Sequence, residues 1–123
     1  MTLPRTATIC SVNVPGARLH YEIRGAGPLL LVIGSPMGTA DFAPLADALA
    51  SDHTVVTLDP RGIGGSTIDD PEQDSTPELR ADDVAAILDD LGAESADVFG
   101  SSGGAVTGLA LVVRHPGRRA PDP

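Results

Sequence analysis

Polar and apolar positions alternate with a period of two over residues 17–24. Leu19, Tyr21 and Ile23 fall on one face, and Arg18, His20 and Glu22 on the other. That spacing predicts a half-exposed strand. Residues 9–14 read as a short strand before it, and Pro15-Gly16 is a turn signal between the two, so a hairpin is expected. After a Gly/Pro break at 25–28 the pattern changes. Residues 29–33 are continuously aliphatic, the mark of a strand covered on both faces in a parallel sheet. Residues 54–58 and 96–99 read as a second and a third buried strand.

Helical patterns lie between and after these runs. Thr39 is placed to cap a helix reaching about residue 50, with Phe42, Leu45 and Leu49 on one stripe. Ser75 and Glu78 have capping-box spacing, and Pro77 suits a first turn. Val84, Ile87, Leu88 and Leu91 follow at i, i+3, i+4, i+7, and Gly92 stops that helix. Residues 103–114 are apolar nearly all round, which predicts a central buried helix ending at His115-Pro116-Gly117. Strand–helix alternation after an opening hairpin predicts an α/β fold. The expected architecture is a three-layer sandwich, its sheet mostly parallel with an N-terminal antiparallel hairpin. Residues 1–116 would form this domain and residues 117–123 an irregular tail. Ligands on such sheets bind beyond the C-terminal strand ends, where loops 34–38, 59–66 and 100–104 meet.

Composition narrows the function. The 123 residues fit one small domain. With 8 basic against 17 acidic side chains and a net charge of −9, the chain lacks the clustered cations that nucleic acid requires. Two Phe, one Tyr and no Trp leave an aliphatic core. Cys10 is the single cysteine, so no intrachain disulfide forms; beside Ile9 it reads as packing. No Cys/His group has zinc spacing, and no metal is expected. Residues 103–113, the longest apolar stretch, fall short of the about 20 that span a bilayer. Residues 1–14 hold no signal-peptide core, so the expected location is the cytoplasm, with no membrane partner. The acidic stretch 69–74 reads as a solvated loop, and Asp82-Asp83 and Asp89-Asp90 as exposed helix positions. No phosphate-cradling P-loop motif occurs. Gly62-Ile63-Gly64 has Thr67 where a dinucleotide fingerprint needs its third Gly.

Residues 100–104, Gly-Ser-Ser-Gly-Gly, match G-x-S-x-G with Ser102 at the centre. A buried strand precedes the motif and an apolar helix follows at once, the setting of a nucleophile elbow. Such a turn needs small flanking residues, here Gly100 and Gly104, because a Cβ would clash around the strained serine. The bland alternative is a serine in a Gly-rich helix cap.

Together with two further segments, this region resembles the N-terminal half of an α/β-hydrolase-fold enzyme. The segments are Leu-Leu-Leu-Val-Ile-Gly-Ser-Pro at 29–36 and Val-Val-Thr-Leu-Asp-Pro-Arg-Gly-Ile-Gly-Gly-Ser at 55–66; with Asp-Val-Phe-Gly-Ser-Ser-Gly-Gly at 97–104 they carry the likeness over roughly residues 9–116. The resemblance implies Ser102 as a nucleophile that attacks a small ester-like substrate through an acyl-enzyme, without a cofactor. It implies an oxyanion hole from the backbone N–H groups of Ser35 and Gly103. Where the family usually has His-Gly, this chain has Ile33-Gly34, a departure that leaves the backbone donor in place. Asp59, Arg61 and Ser66 would be structural. Peroxidase and lactonase chemistry also occur in the family, and the sequence does not choose among them.

A serine nucleophile needs a base, normally a His oriented by an acid, and in this fold the order is Ser, acid, His. After Ser102 the only histidine is His115, twelve helical steps on at ~1.5 Å each, too far to reach. His53 starts its strand at the opposite end of the sheet, His20 lies in the hairpin, and Asp122 is in the tail. The simplest expectation is a truncated chain, whether a fragment, an early stop or a frameshifted reading, with a natural half-protein completed by another chain as the alternative, and little activity alone. The competing expectation is a non-catalytic fragment or interaction module that retains the scaffold. Either leaves the strand at 96–99 as an exposed sheet edge, which invites self-association.

Overall fold

The computed structural model describes residues 7–117. The alternating segment forms β2 (Ala17–Gly25), paired antiparallel with β1 (Thr8–Val14). Leu19 and Tyr21 are buried and Arg18 is exposed, as a period of two dictates. The aliphatic runs form β3 (Leu29–Ser35), β4 (Thr54–Leu58) and β6 (Asp97–Ser102). β6 therefore runs past the expected residue 99 and ends on Ser102. A two-residue strand, β5 (Thr67–Ile68), has no counterpart in the sequence reading and pairs with the start of β2.

The strand order is β1-β2-β4-β3-β6, with β5 also against β2. The sheet is mixed. It is parallel from β4 through β3 to β6. It turns antiparallel beyond β4, because the hairpin joins through β2 running opposite to β4. Three helices complete the layers: α1 (Thr39–Leu49), α2 (Pro77–Leu91) and α3 (Gly103–Arg114). The crossover from β3 to β4 moves one way along the sheet and that from β4 to β6 moves back across β3. Crossovers of one hand in opposite directions put their helices on opposite faces. Accordingly Phe42 and Ala46 of α1 pack with Val32 and Val55 on one face. Val84, Ile87 and Leu88 of α2 and Leu111 of α3 pack with Leu31, Ile33, Val56 and Leu58 on the other. The tail read at 117–123 lies, beyond Gly117, outside the described residues.

Several local expectations shift. Thr39 is not the cap of α1. Gly38 is, and its N–H is bonded by the Asp41 carboxylate at 2.9 Å. Thr39 instead faces inward to Asp59. The buried stripe of α1 is Phe42 and Ala46, while Leu45 is exposed. Thr76, not Ser75, caps α2, its hydroxyl accepting from the Leu79 N–H at 3.1 Å. Gly92 ends α2 in the left-handed conformation, and the Ala93 N–H reaches back to the Leu88 carbonyl, a Schellman closure.

Asp83 is not an exposed helix position. It forms a two-bonded pair with Arg61, Nε to Oδ2 at 2.8 Å and Nη2 to Oδ1 at 2.7 Å, and the two side chains are 5% and 3% exposed. This pair ties the 59–66 loop to α2. Asp90 is exposed but accepts a hydrogen bond from the buried Tyr21 hydroxyl. Burial, with Asp90 beside it, pushes the Tyr21 phenol well above its ordinary value.

The largest departure is α3. Gly104, Thr107 and Leu111 are buried, but Leu109 is 70% and Val113 80% exposed, with Val106 and Val112 exposed as well. A helix apolar all round calls for cover on every side. Among the described residues α3 is covered only where it meets β3, β6 and α2. Beside it β6 pairs with β3 alone, and Phe99 on that edge is also exposed.

Two outcomes follow. Asp83→Ala leaves the Arg61 guanidinium buried and unpaired and is expected to cost ~3–5 kcal/mol in urea unfolding; a change under ~1 kcal/mol would show that the pair is not sealed from water. The 123-residue chain is expected to self-associate through the β6 edge and the bare face of α3. Sedimentation velocity should show a coefficient rising with concentration, and a constant monomer value would contradict this.

Candidate active site

Three strand ends build the site: Ser35 closing β3, Ser102 closing β6 and Asp59 just after β4. In the parallel register Ser35 lies directly opposite Ser102. Ser102 has φ +57° and ψ −124° and is the one non-glycine residue with positive φ among the described residues. A side chain in that region is strained, and surrounding structure must hold it there.

The glycines show what does so. A Cβ on Gly104 would stand 2.1 Å from the Ile33 carbonyl oxygen, and one on Gly100 would stand 2.7 Å from the Ala105 Cα. One on Gly103 would stand 2.9 Å from the Ser35 Cβ. The first turn of α3 is thus pressed against β3 and folded back on β6, and the serine takes up the reversal between them. Its side chain is exposed above the sheet. The N-terminus of α3 begins at the next residue, and its free N–H groups favour negative charge there.

Polar contacts lock this turn from beneath. The buried Thr107 hydroxyl donates to the Gly103 carbonyl at 3.1 Å and accepts from Arg80 Nε at 3.0 Å. Arg80 Nη1 in turn donates to the Ser75 carbonyl at 2.6 Å. Neither Thr107 nor Arg80 carried a sequence signal beyond the i, i+4 spacing of Gly103 and Thr107.

The neighbouring loops are held by Asp59. Its Oδ1 accepts from the Thr39 N–H at 2.8 Å, and its Oδ2 from the Gly65 N–H at 2.9 Å. Gly38 and Gly64 lie against the same carboxylate, where a Cβ would not fit. The Ser66 hydroxyl donates to the Asp59 carbonyl and accepts from the His20 N–H. Asp59, Arg61 and Ser66 therefore spend their polar groups on structure. Gly62-Ile63-Gly64 lies in turns leading to β5 rather than opening a helix, so it has no helix N-terminus for a pyrophosphate.

Among the described residues no base reaches Ser102. Its hydroxyl has no hydrogen-bond partner among the described residues. His20 Nε2 pairs with Glu22 at 2.8 Å on β2, three strand spacings from β6, or roughly 14 Å. His53 pairs with Asp52 at 2.7 Å just before β4 begins, at the far end of the sheet. His115 follows the last residue of α3, with Nε2 2.7 Å from Asp82. Arg114 and His115 hold the Asp82 carboxyl below the usual carboxylate range. Asp122 lies outside the described residues. Among the described residues no His/Cys/Asp/Glu group could hold a metal, and no helix is long and apolar enough to cross a membrane.

The chain belongs to the α/β-hydrolase fold family, whose model matches residues 27–120. It is 42% identical over 107 residues to the uncharacterized hydrolase YraK of Bacillus subtilis (strain 168), covering 86% of this chain and 40% of that protein. Among solved structures it is similar to the N-acyl homoserine lactonase AidH complexed with N-butanoyl homoserine. That match has 28% identity and a TM-score of 0.83, and covers 91% of this chain and 42% of the lactonase. It is likewise similar to a hydrolase from Pseudomonas aeruginosa PA01, at 29% identity and a TM-score of 0.83, covering 90% of this chain and 43% of that one. The chain spans about two fifths of the length of these proteins.

The close approach at Gly104 has a measurable consequence. Gly104→Ala is expected to cost ~3 kcal/mol or more. Gly92→Ala meets open space and should cost only the left-handed penalty, ~1 kcal/mol. Equal urea midpoints for the two variants would mean that α3 is not pressed on β3.

Proposed function

We propose that residues 9–116 are the nucleophile-bearing part of a serine hydrolase acting on small ester-like substrates, lactones included. The single observation that carries this is the backbone of Ser102, a strained non-glycine residue at a strand–helix junction packed too tightly for any side chain at Gly104. In this reading Ser102 Oγ bonds to the substrate carbonyl carbon while the hydroxyl proton passes to a base. The C=O electron pair moves onto oxygen, where the Ser35 and Gly103 N–H groups receive it. Collapse expels the alcohol, which takes up a proton, and leaves an acyl-serine ester. Water then attacks that ester by the same steps, releasing the acid and restoring Ser102. The base and its orienting acid lie outside the described residues, so residues 9–116 alone support only slow turnover.

A second reading has its own support, the lack of a hydrogen-bond partner for the Ser102 hydroxyl among the described residues: a module that keeps the scaffold without the chemistry. A fusion separates the two. Residues 1–116 joined to the C-terminal portion of YraK are expected to hydrolyse p-nitrophenyl acetate, with a loss of ~10³-fold or more on Ser102→Ala. A fusion that melts cooperatively yet hydrolyses nothing favours the non-catalytic module.

A further inference from the structure

Ser35 enters the proposed mechanism only through its backbone, and its side chain is so far unused. That side chain is turned toward the elbow: a Cβ on Gly103 would stand 2.9 Å from Ser35 Cβ and 3.3 Å from Ser35 Oγ. Several neighbouring hydroxyls are committed, while that of Ser101, like Ser35's, has no partner among the described residues. Thr39 and Ser66 bond to Asp59, and Thr107 to the Gly103 carbonyl. The Ser35 hydroxyl has no partner among the described residues. Nor is it among their sealed, unsatisfied polar atoms, so it opens onto the surface at the strand end. It is a spare donor beside Gly103, on the residue directly across from Ser102.

We propose that the Ser35 Oγ–H is a third donor to the oxyanion, which makes Ser35 a catalytic residue through its side chain as well as its backbone. The inference rests on the Ser102 centre being an acyl-transfer site. As the nucleophile's oxygen bonds to the carbonyl carbon, the C=O pair becomes a third lone pair on oxygen. The Ser35 hydroxyl donates a hydrogen bond to that oxygen and keeps its proton. On collapse the pair returns to the C=O bond and the hydrogen bond weakens. The gain is confined to the transition state, because a neutral carbonyl has two lone pairs already facing the backbone donors.

The test measures hydrolysis of p-nitrophenyl acetate by the 123-residue chain above the buffer rate, since an oxyanion hole accelerates acyl transfer even without a base. The chain contains no lysine, which removes the commonest source of stray acylation. Ser35→Ala is expected to lose roughly 10- to 100-fold of the protein-dependent rate with an unchanged melting temperature. Ser102→Ala run alongside separates the nucleophile from the oxyanion hole. Loss in Ser102→Ala with full activity in Ser35→Ala keeps the nucleophile and overturns the third donor. Loss in Ser35→Ala with none in Ser102→Ala keeps the hole and overturns the nucleophile. Should the folded chain alone match buffer, the same variants in the YraK fusion decide, and a Ser35→Ala fusion at full rate overturns the third donor.

Discussion

The structure turns on one contact, the first turn of α3 against the end of β3. Gly104 sits so close to the Ile33 carbonyl that no Cβ fits. That approach forces the chain to reverse within one residue after β6, and the residue that reverses is Ser102 at positive φ. The same contact sets Ser35 beside Gly103 and leaves the α3 N-terminus pointing at the serine. The Thr107–Arg80 contacts and the glycines at 100 and 103 keep the turn closed. The strain at Ser102 persists because packing on both sides leaves it no alternative.

Around this turn the buried polar groups divide their work. Asp59 spends both carboxylate oxygens on the two flanking loops, and the Arg61–Asp83 pair fastens one of those loops to α2. All three histidines are paired with carboxylates elsewhere. Among the described residues the hydroxyls of Ser35, Ser101 and Ser102 stay free at the strand ends, and Ser35 and Ser102 face each other in register. The other unsatisfied feature is apolar: the outer face of α3 and the β6 edge. Both adjoin the turn at Ser102, and both belong to a chain two fifths the length of its relatives.

Much of this was legible in the sequence, because local periodicity and turn chemistry determined it. The period-two run gave β2, the aliphatic runs gave the parallel strands, and G-x-S-x-G between strand and helix located the elbow. What escaped was non-local. Asp83 reads as one more acid on a helix until the fold brings Arg61 to it. The antiparallel junction of β2 with β4 leaves no mark in either strand. The caps at Gly38 and Thr76 differ from the expected residues by one position, since adjacent Gly, Ser and Thr all serve. The apolar circumference of α3 predicted a buried helix, but its outer face is exposed, because burial depends on what is packed there and not on the helix alone.

The most direct test of the central claim is intact-mass measurement of the folded chain after exposure to a fluorophosphonate across a range of pH. Attack by Ser102 Oγ on phosphorus with loss of fluoride predicts one adduct. Its rate should climb with pH as hydroxide acts as the base, and Ser102→Ala should abolish it. A folded chain that stays unmodified throughout, or an adduct that survives Ser102→Ala, would contradict the account.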